Sequence, residues 1–313
     1  MTPALLSRVA ESMFWIGRYT ERAEGTARIL DVVVHHALEE RGTDAEGMAG
    51  RLLDVMGVSH PGQPDLWEAT ELLCFEEDSA SSIAGALGAA RDNARAVRHV
   101  LPTELWERMN VAWVALPAQR LQARRRGPGA FLSWIKDQTA ALSGLADTTM
   151  SRDQTWLFLT LGRALERADV TARLLGALPL EDMSESGLVT LLRSCGGHEP
   201  YLRMASGVVE LEGVVDFLLR DRLFPRSVLS SLILAASCID DISGPAGWDE
   251  ARGVIGLIRA ELEFLAPDAV VDGLQARLTR VHDACSAASL SVSTRYFSHG
   301  PPTEWRQRGG GGG

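Results

Sequence analysis

Two distant stretches of this chain repeat one another. Residues 16–30 read IGRYTERAEGTARIL and residues 161–175 read LGRALERADVTARLL. Aligning Gly17-Arg18 on Gly162-Arg163 sets Glu21-Arg22 on Glu166-Arg167, Glu24 on Asp169, Thr26 on Thr171 and Arg28 on Arg173. Both stretches place apolar residues at three- and four-residue steps, which is the period of a helix with one buried stripe. A chain that writes the same amphipathic helix twice must bury two equivalent helices. This predicts two related bundle halves, roughly 1–150 and 151–300, although internal repeats are usually sought at shorter periods. Outside these helices the match falls to Ser7-Arg8 against Ser151-Arg152, so duplication of a whole half is an extrapolation.

The same period continues elsewhere. Stripes at 79–99, 103–126, 128–150, 225–243, 248–265 and 268–296 join central helices expected at 8–38 and 152–178. Pro102-Thr103-Glu104, Pro225-Arg226-Ser227 and Pro267-Asp268 have the chemistry of helix openings. The run 207–215 is the best strand candidate, but Asp216-Phe217-Leu218-Leu219 restores a helical stripe, so the segment is assigned to helix. The expectation is one all-α helical-bundle domain over 1–300, with 301–313 a flexible Gly-rich tail. With 313 residues, 46% of them apolar, such a chain can bury a substantial core.

Charge narrows the partners. A formal charge of −10 with a pI near 5.3 argues against a general binder of nucleic acid or of an anionic membrane. The basic cluster Arg120, Arg124, Arg125 and Arg126 suits a solvated helix C-terminus. Four scattered cysteines without a CxxC pair read as reduced, buried thiols. With no leader pattern and no apolar run near the roughly 20 residues that span a bilayer, a cytoplasmic location is expected. Sequence templates for a nucleophile elbow, zinc protease, P-loop or dinucleotide fold are absent. His282 and Cys285 share a helix face, but no second pair supports a metal site. His35-His36 and Asp240-Asp241 read as helix-end residues. No cofactor is expected.

The candidate site lies on the repeated helices. Glu21 and Arg28, seven apart, fall within roughly 20° of one azimuth at 100° per residue. Glu166 and Arg173 do the same. Carboxylates and guanidiniums bordering a core stripe predict a partly buried ionic network of Arg18, Glu21, Arg28, Arg163, Glu166 and Arg173. The expected pairs are Glu21–Arg173 and Glu166–Arg28, with Arg22 and Arg167 pointing elsewhere. Arginine suits such a place because its planar fork binds carboxylate bidentately. Arg91, Asn93, Arg95 and Arg98 form a polar set on another helix; Arg91, Arg95 and Arg98 share a face and could bring further cations to the site or simply line an exterior face. An internal clamp and a pocket for a carboxylate- or phosphate-bearing ligand both fit these residues.

At these residues the sequence resembles the bacterial alpha-E proteins, named for an α-helical domain with a Glu-Arg motif. The likeness covers nearly the whole chain, through Leu6-Ser7-Arg8, Phe14-Trp15-Ile16-Gly17-Arg18 and Ser81-Ser82-Ile83. It continues through Ala90-Arg91-Asp92-Asn93, Thr149-Met150-Ser151-Arg152 and Phe224-Pro225-Arg226-Ser227-Val228. Two departures stand out: Asp78-Ser79-Ala80-Ser81 where the family usually has Asn-Pro, and no aromatic near Gly187-Leu188. The resemblance implies partnership with circularly permuted ATP-grasp amidoligases and transglutaminase-like peptidases, in a pathway that makes, attaches or trims peptides. Three classes of function follow. The chain is an accessory partner that binds the ligase or its peptide or amino-acid ligand, an enzyme using Glu21 or Glu166 in acid–base chemistry, or a structural subunit without a ligand.

Overall fold

The computed structural model describes residues 7–39, 45–60, 62–178, 180, 183–244, 249–266 and 269–297. Among them are thirteen helices and no strand, so the chain is all-α. The tail 301–313 and the Pro267-Asp268 opening lie outside the described residues.

Two long helices, α1 (Ser7–Glu39) and α7 (Gln154–Ala177), form the centre. The first half continues with α2 (Ala45–Val55), α3 (Leu66–Phe75), α4 (Ile83–Ala96), α5 (Thr103–Arg126) and α6 (Gly129–Thr149). The second continues with α8 (Glu185–Cys195), α9 (His198–Met204), α10 (Leu211–Arg220), α11 (Val228–Ser243), α12 (Glu250–Glu263) and α13 (Leu274–Tyr296). In one register α3 falls on α10, α4 on α11, and the start of α6 on the start of α13; α9 has no counterpart.

Local chemistry repeats in that register too. Ser82 caps α4 by accepting from the Gly85 N–H at 2.9 Å, and Ser227 caps α11 by accepting from the Ser230 N–H at 3.0 Å. Each serine hydroxyl donates six residues back, to the Glu76 and Asp221 carbonyls. A serine that closes an orphan N–H while tying down the preceding loop fixes where such a helix begins.

Packing follows the same symmetry. α1 lies against α7, α4, α6 and α8, while α7 lies against α1, α11, α13 and α2. The short second helix of each half therefore packs on the central helix of the other half. This exchange interleaves the two units around one core.

Several sequence boundaries shift for identifiable reasons. The helices expected from 79 and 225 start at Ile83 and Val228, because Ser82 and Ser227 are their caps. The helix expected from 268 starts at Leu274, after Gly273 in the left-handed region at φ 63°. The segment 207–219 is helical only from Leu211, since Gly207 at φ 89° cannot continue a right-handed helix. α2, α3, α8 and α9, of 7 to 11 residues, went unread because a period is hard to establish over so few turns. No helix among the described residues is long and apolar enough to cross a membrane.

Candidate functional site

The seam between α1 and α7 begins at two glycines. A Cβ on Gly17 would lie 2.1 Å from the Leu159 carbonyl oxygen, and one on Gly162 would lie 2.1 Å from that of Phe14. The two backbones therefore touch, which only glycine permits. One step further along, Gly25 faces Val170. Contacts at matching levels of both helices mean that they run parallel, related by a pseudo-twofold axis along their length.

This arrangement decides the charge partners. Arg22 grips Glu166 bidentately, Nε to Oε1 at 2.5 Å and Nη2 to Oε2 at 3.0 Å. Arg167 grips Glu21 in the same way, at 2.8 and 2.6 Å. The two Glu-Arg dipeptides thus clasp each other reciprocally. Glu21 and Glu166 are both 2% exposed.

The expected pairs Glu21–Arg173 and Glu166–Arg28 are not formed, and Arg22 and Arg167 do not point elsewhere. In a parallel pair, a cross-helix partner must sit level with its mate. Arg173 and Arg28 lie seven residues beyond the glutamates, about 10 Å along the axis. Instead Arg28 binds Glu24 on its own helix at 2.7 Å, and Arg173 binds Asp169 at 3.0 Å. The seam runs between Glu and Arg of each dipeptide, so the residue following one glutamate faces the glutamate of the other helix.

The two halves differ in their remaining cations. Arg226, just before the α11 cap, bridges Glu21 at 3.1 Å and also reaches Glu24. Arg18 lies 2.5 Å from Glu166 and also hydrogen-bonds the Ser289 hydroxyl. Its repeat partner Arg163 instead binds Asp147 on α6 at 3.0 Å. Arg226 was legible only as part of a family-like motif; nothing in its spacing marks it as a partner of a helix some 200 residues away.

Burial by itself would push the Glu21 carboxyl up, but the Arg167 and Arg226 guanidiniums overcome that and hold it down at about 2. Burial also works against the Arg167 and Arg22 guanidiniums, yet the facing glutamates raise both above the ordinary arginine value. Arg226 is lowered, first by burial and then by Arg28 and Arg167 crowding it. The void beside Gly17, Thr20 and Arg163 is about 20 Å³, room for a water and little more.

Arg91 and Arg95 are not part of this set. Arg91 hydrogen-bonds Asn110 at 2.8 Å and lies over the Trp106 ring on α5, while Arg95 pairs with its neighbour Asp92 at 3.4 Å. The basic cluster is held at Glu71 by Arg120 and Arg124.

His282, the residue considered with Cys285 as half of a metal pair, turns its Nδ1 towards Asp169 Oδ1 at 2.7 Å. Cys285 is buried, which pushes its thiol well above the ordinary value. No group of three His, Cys, Asp or Glu side chains that could hold a metal ion occurs among the described residues.

The profile of the Alpha-E family, described as "a predicted alpha-helical domain with a conserved ER motif", matches residues 5–297. The structure gives that dipeptide a physical reason, the reciprocal clasp across the seam. The chain is 24% identical over 323 aligned residues to an uncharacterized protein of Mycobacterium bovis. Two uncharacterized proteins of Mycobacterium tuberculosis match at the same identity. These alignments cover 91% of this chain but span only 36% of each relative's length. No solved structure matches the chain.

Proposed function

The chain belongs to the Alpha-E family, and from that premise we propose that it is a non-catalytic helical partner of an ATP-grasp amidoligase in a system that makes or modifies peptides. The observation carrying the non-catalytic part is the saturation of both candidate bases. A general base must titrate near the working pH and reach its substrate. Glu21 is ionised down to about 2, accepts on both oxygens from Arg167 and is also held by Arg226. Glu166 accepts on both oxygens from Arg22 and lies against Arg18. Both carboxylates are 2% exposed and present no open surface to a substrate. The Glu-Arg core is then an internal clamp that fixes the register of the central pair.

The choice of partner rests on the family resemblance, which also brings in a transglutaminase-like peptidase. It accords with relatives in which the matching segment is about a third of a longer chain. Reconstitution tests it: the cognate ligase is supplied with amino acids and ATP, with and without this protein. Co-elution and an altered product are expected. A ligase that neither binds this chain nor changes its product in its presence refutes the reading. Turnover of a small molecule by this chain alone, abolished in a folded Glu21→Gln or Glu166→Gln variant, would instead establish an enzyme.

A further inference from the structure

Where the two halves match, a structural clamp explains both. Where they diverge next to solvent, it does not, and breaks in an otherwise consistent design concentrate at functional places. The sharpest break lies one turn beyond the clasp. In the first half, Glu24 is closed off by Arg28 and Arg226, and Arg28 donates to the Ser194 carbonyl. In the second half the shorter Asp169 takes the place of Glu24. Arg173 binds it through Nε, donates to the Val55 carbonyl, the counterpart of the Ser194 contact, and brings Nη2 within 3.0 Å of His282 Nδ1. The position of Arg226 has no such cation in the first-half register, where Ser81 stands. Asp169 is approached instead by His282 of α13.

His282 and Arg173 line a cleft of about 300 Å³ between α2, α7 and α13, together with Asp54, Gln275 and Thr279. The cleft shares Val55, Gly176 and Gln275 with a wider groove of about 910 Å³, whose walls include Leu178, Leu180, Val271 and Leu274 and whose rim carries Arg51. These volumes lie in the range of small-molecule sites. Asp169 is 4% exposed and takes the Nδ1 edge of the imidazole. The opposite edge, bearing Nε2, belongs to a side chain that is 41% exposed.

We propose that this cleft binds a ligand with a single carboxylate and an apolar body, the carboxylate taken by His282 Nε2–H and by an Nη hydrogen of Arg173 left over from its Val55 and His282 contacts. Charge selects the class. Asp169, Arg173, a protonated His282, Asp54 of the cleft and Arg51 of the adjoining groove together sum to one positive charge, which matches a carboxylate and leaves a phosphate dianion undercompensated. The apolar walls of the adjoining groove receive the remainder. The site goes beyond the partner reading and needs no ligase to operate.

The proton on His282 is held by its hydrogen bond to Asp169, against burial and against Arg173, and its pKa is raised above the ordinary 6.5. Other charged or titratable groups around the site are Asp283 on α13, Asp54 on α2 with His60 3.4 Å from it, Arg51 on the adjoining groove, and Arg18 behind Asp169. The imidazolium is therefore present at low pH and lost as pH rises through the raised value. Carboxylate binding must weaken in the same direction.

N-acetyl-leucine and its neutral carboxamide are titrated into the whole protein while the His282 ring C–H resonance is followed. A saturable shift is expected with the acid, with affinity falling about tenfold between about pH 6 and pH 8.5. The carboxamide should bind at least about tenfold more weakly. His282→Gln should abolish binding while circular dichroism stays native, because the side chain is half-exposed. Gly176→Leu, which fills the shared floor of cleft and groove, should abolish it independently, with circular dichroism confirming the fold. The proposal is overturned by equal binding of the carboxamide, by binding that survives both substitutions, by inorganic phosphate displacing the acid at lower concentration, or by no saturable shift.

Discussion

The Glu24–Arg28 corner of the first half and the Asp169–Arg173 corner of the second began as one design and now do different things. Both arginines bind the acid one turn back and donate to a backbone carbonyl of the short helix that crosses from the other half. Around Glu24, a second cation, Arg226 from the loop before α11, completes a closed corner. Around Asp169, a side chain shorter by one methylene is met by a half-exposed histidine on the wall of a cleft. The closed corner shows what stability alone requires, and the open one departs from it.

The largest effect tests whether the clasp is as symmetric as it looks. Glu21→Gln and Glu166→Gln should each cost about 3–5 kcal/mol in urea unfolding, because each strands guanidiniums that are largely withdrawn from water. Markedly unequal losses would break the equivalence of the two clasps. Acid should act through the same residue. Glu21 is depressed from 4.5 to about 2, so its contribution is present above pH 4.5 and lost as pH falls towards 2. The Glu21→Gln variant should have a flatter acid stability profile over that window.

Next comes backbone contact. Gly17→Ala and Gly162→Ala should each cost about 3 kcal/mol, at the upper end for overpacking, because the obstruction in both is a carbonyl that cannot rotate away. Gly176→Ala should go the other way. Its nearest neighbour would be Gln275 at 3.7 Å, so thermal unfolding should register only the gain in helix propensity, up to about 1 kcal/mol. Destabilisation there would contradict an open cleft beside the Asp169 corner.

A smaller and again symmetric effect is expected at the paired caps. Ser82→Ala and Ser227→Ala should each cost about 1 kcal/mol. The smallest loss belongs to His282→Gln, under about 1 kcal/mol, because the Gln amide can still donate to the buried Asp169. A much larger loss would make His282 part of the closed structural network and erase the contrast between the corners.

Much of this fold could be read from spacing. The long helices announced themselves through apolar stripes, and α5 spans 103–126 as the stripe does. Glu21, Arg18 and Glu166 come together at the seam, as their repeated offsets suggested. The pairing did not follow, because azimuth on one helix says nothing of how far along its axis a neighbour presents its charges. Arg22 and Arg167 were expected to point elsewhere, yet lying about 100° from the glutamates is what places them across a seam running between the two azimuths. Arg226 and His282 arrive from loops and helices whose approach no local pattern encodes.

The sequence by itself determined an all-α chain, two copies of a glycine-marked Glu-Arg helix, and a composition poor in catalytic templates. Periodicity, caps and composition are local properties, and a residue's neighbours within a few turns suffice to express them. Only the tertiary structure decided that the two copies run parallel, that Glu21 belongs to Arg167 and Glu166 to Arg22, and that one corner is sealed while its twin opens on a cleft. Those outcomes depend on which backbones can approach within contact. That is settled when Gly17 meets Leu159 and Gly162 meets Phe14, between segments that no short-range rule connects.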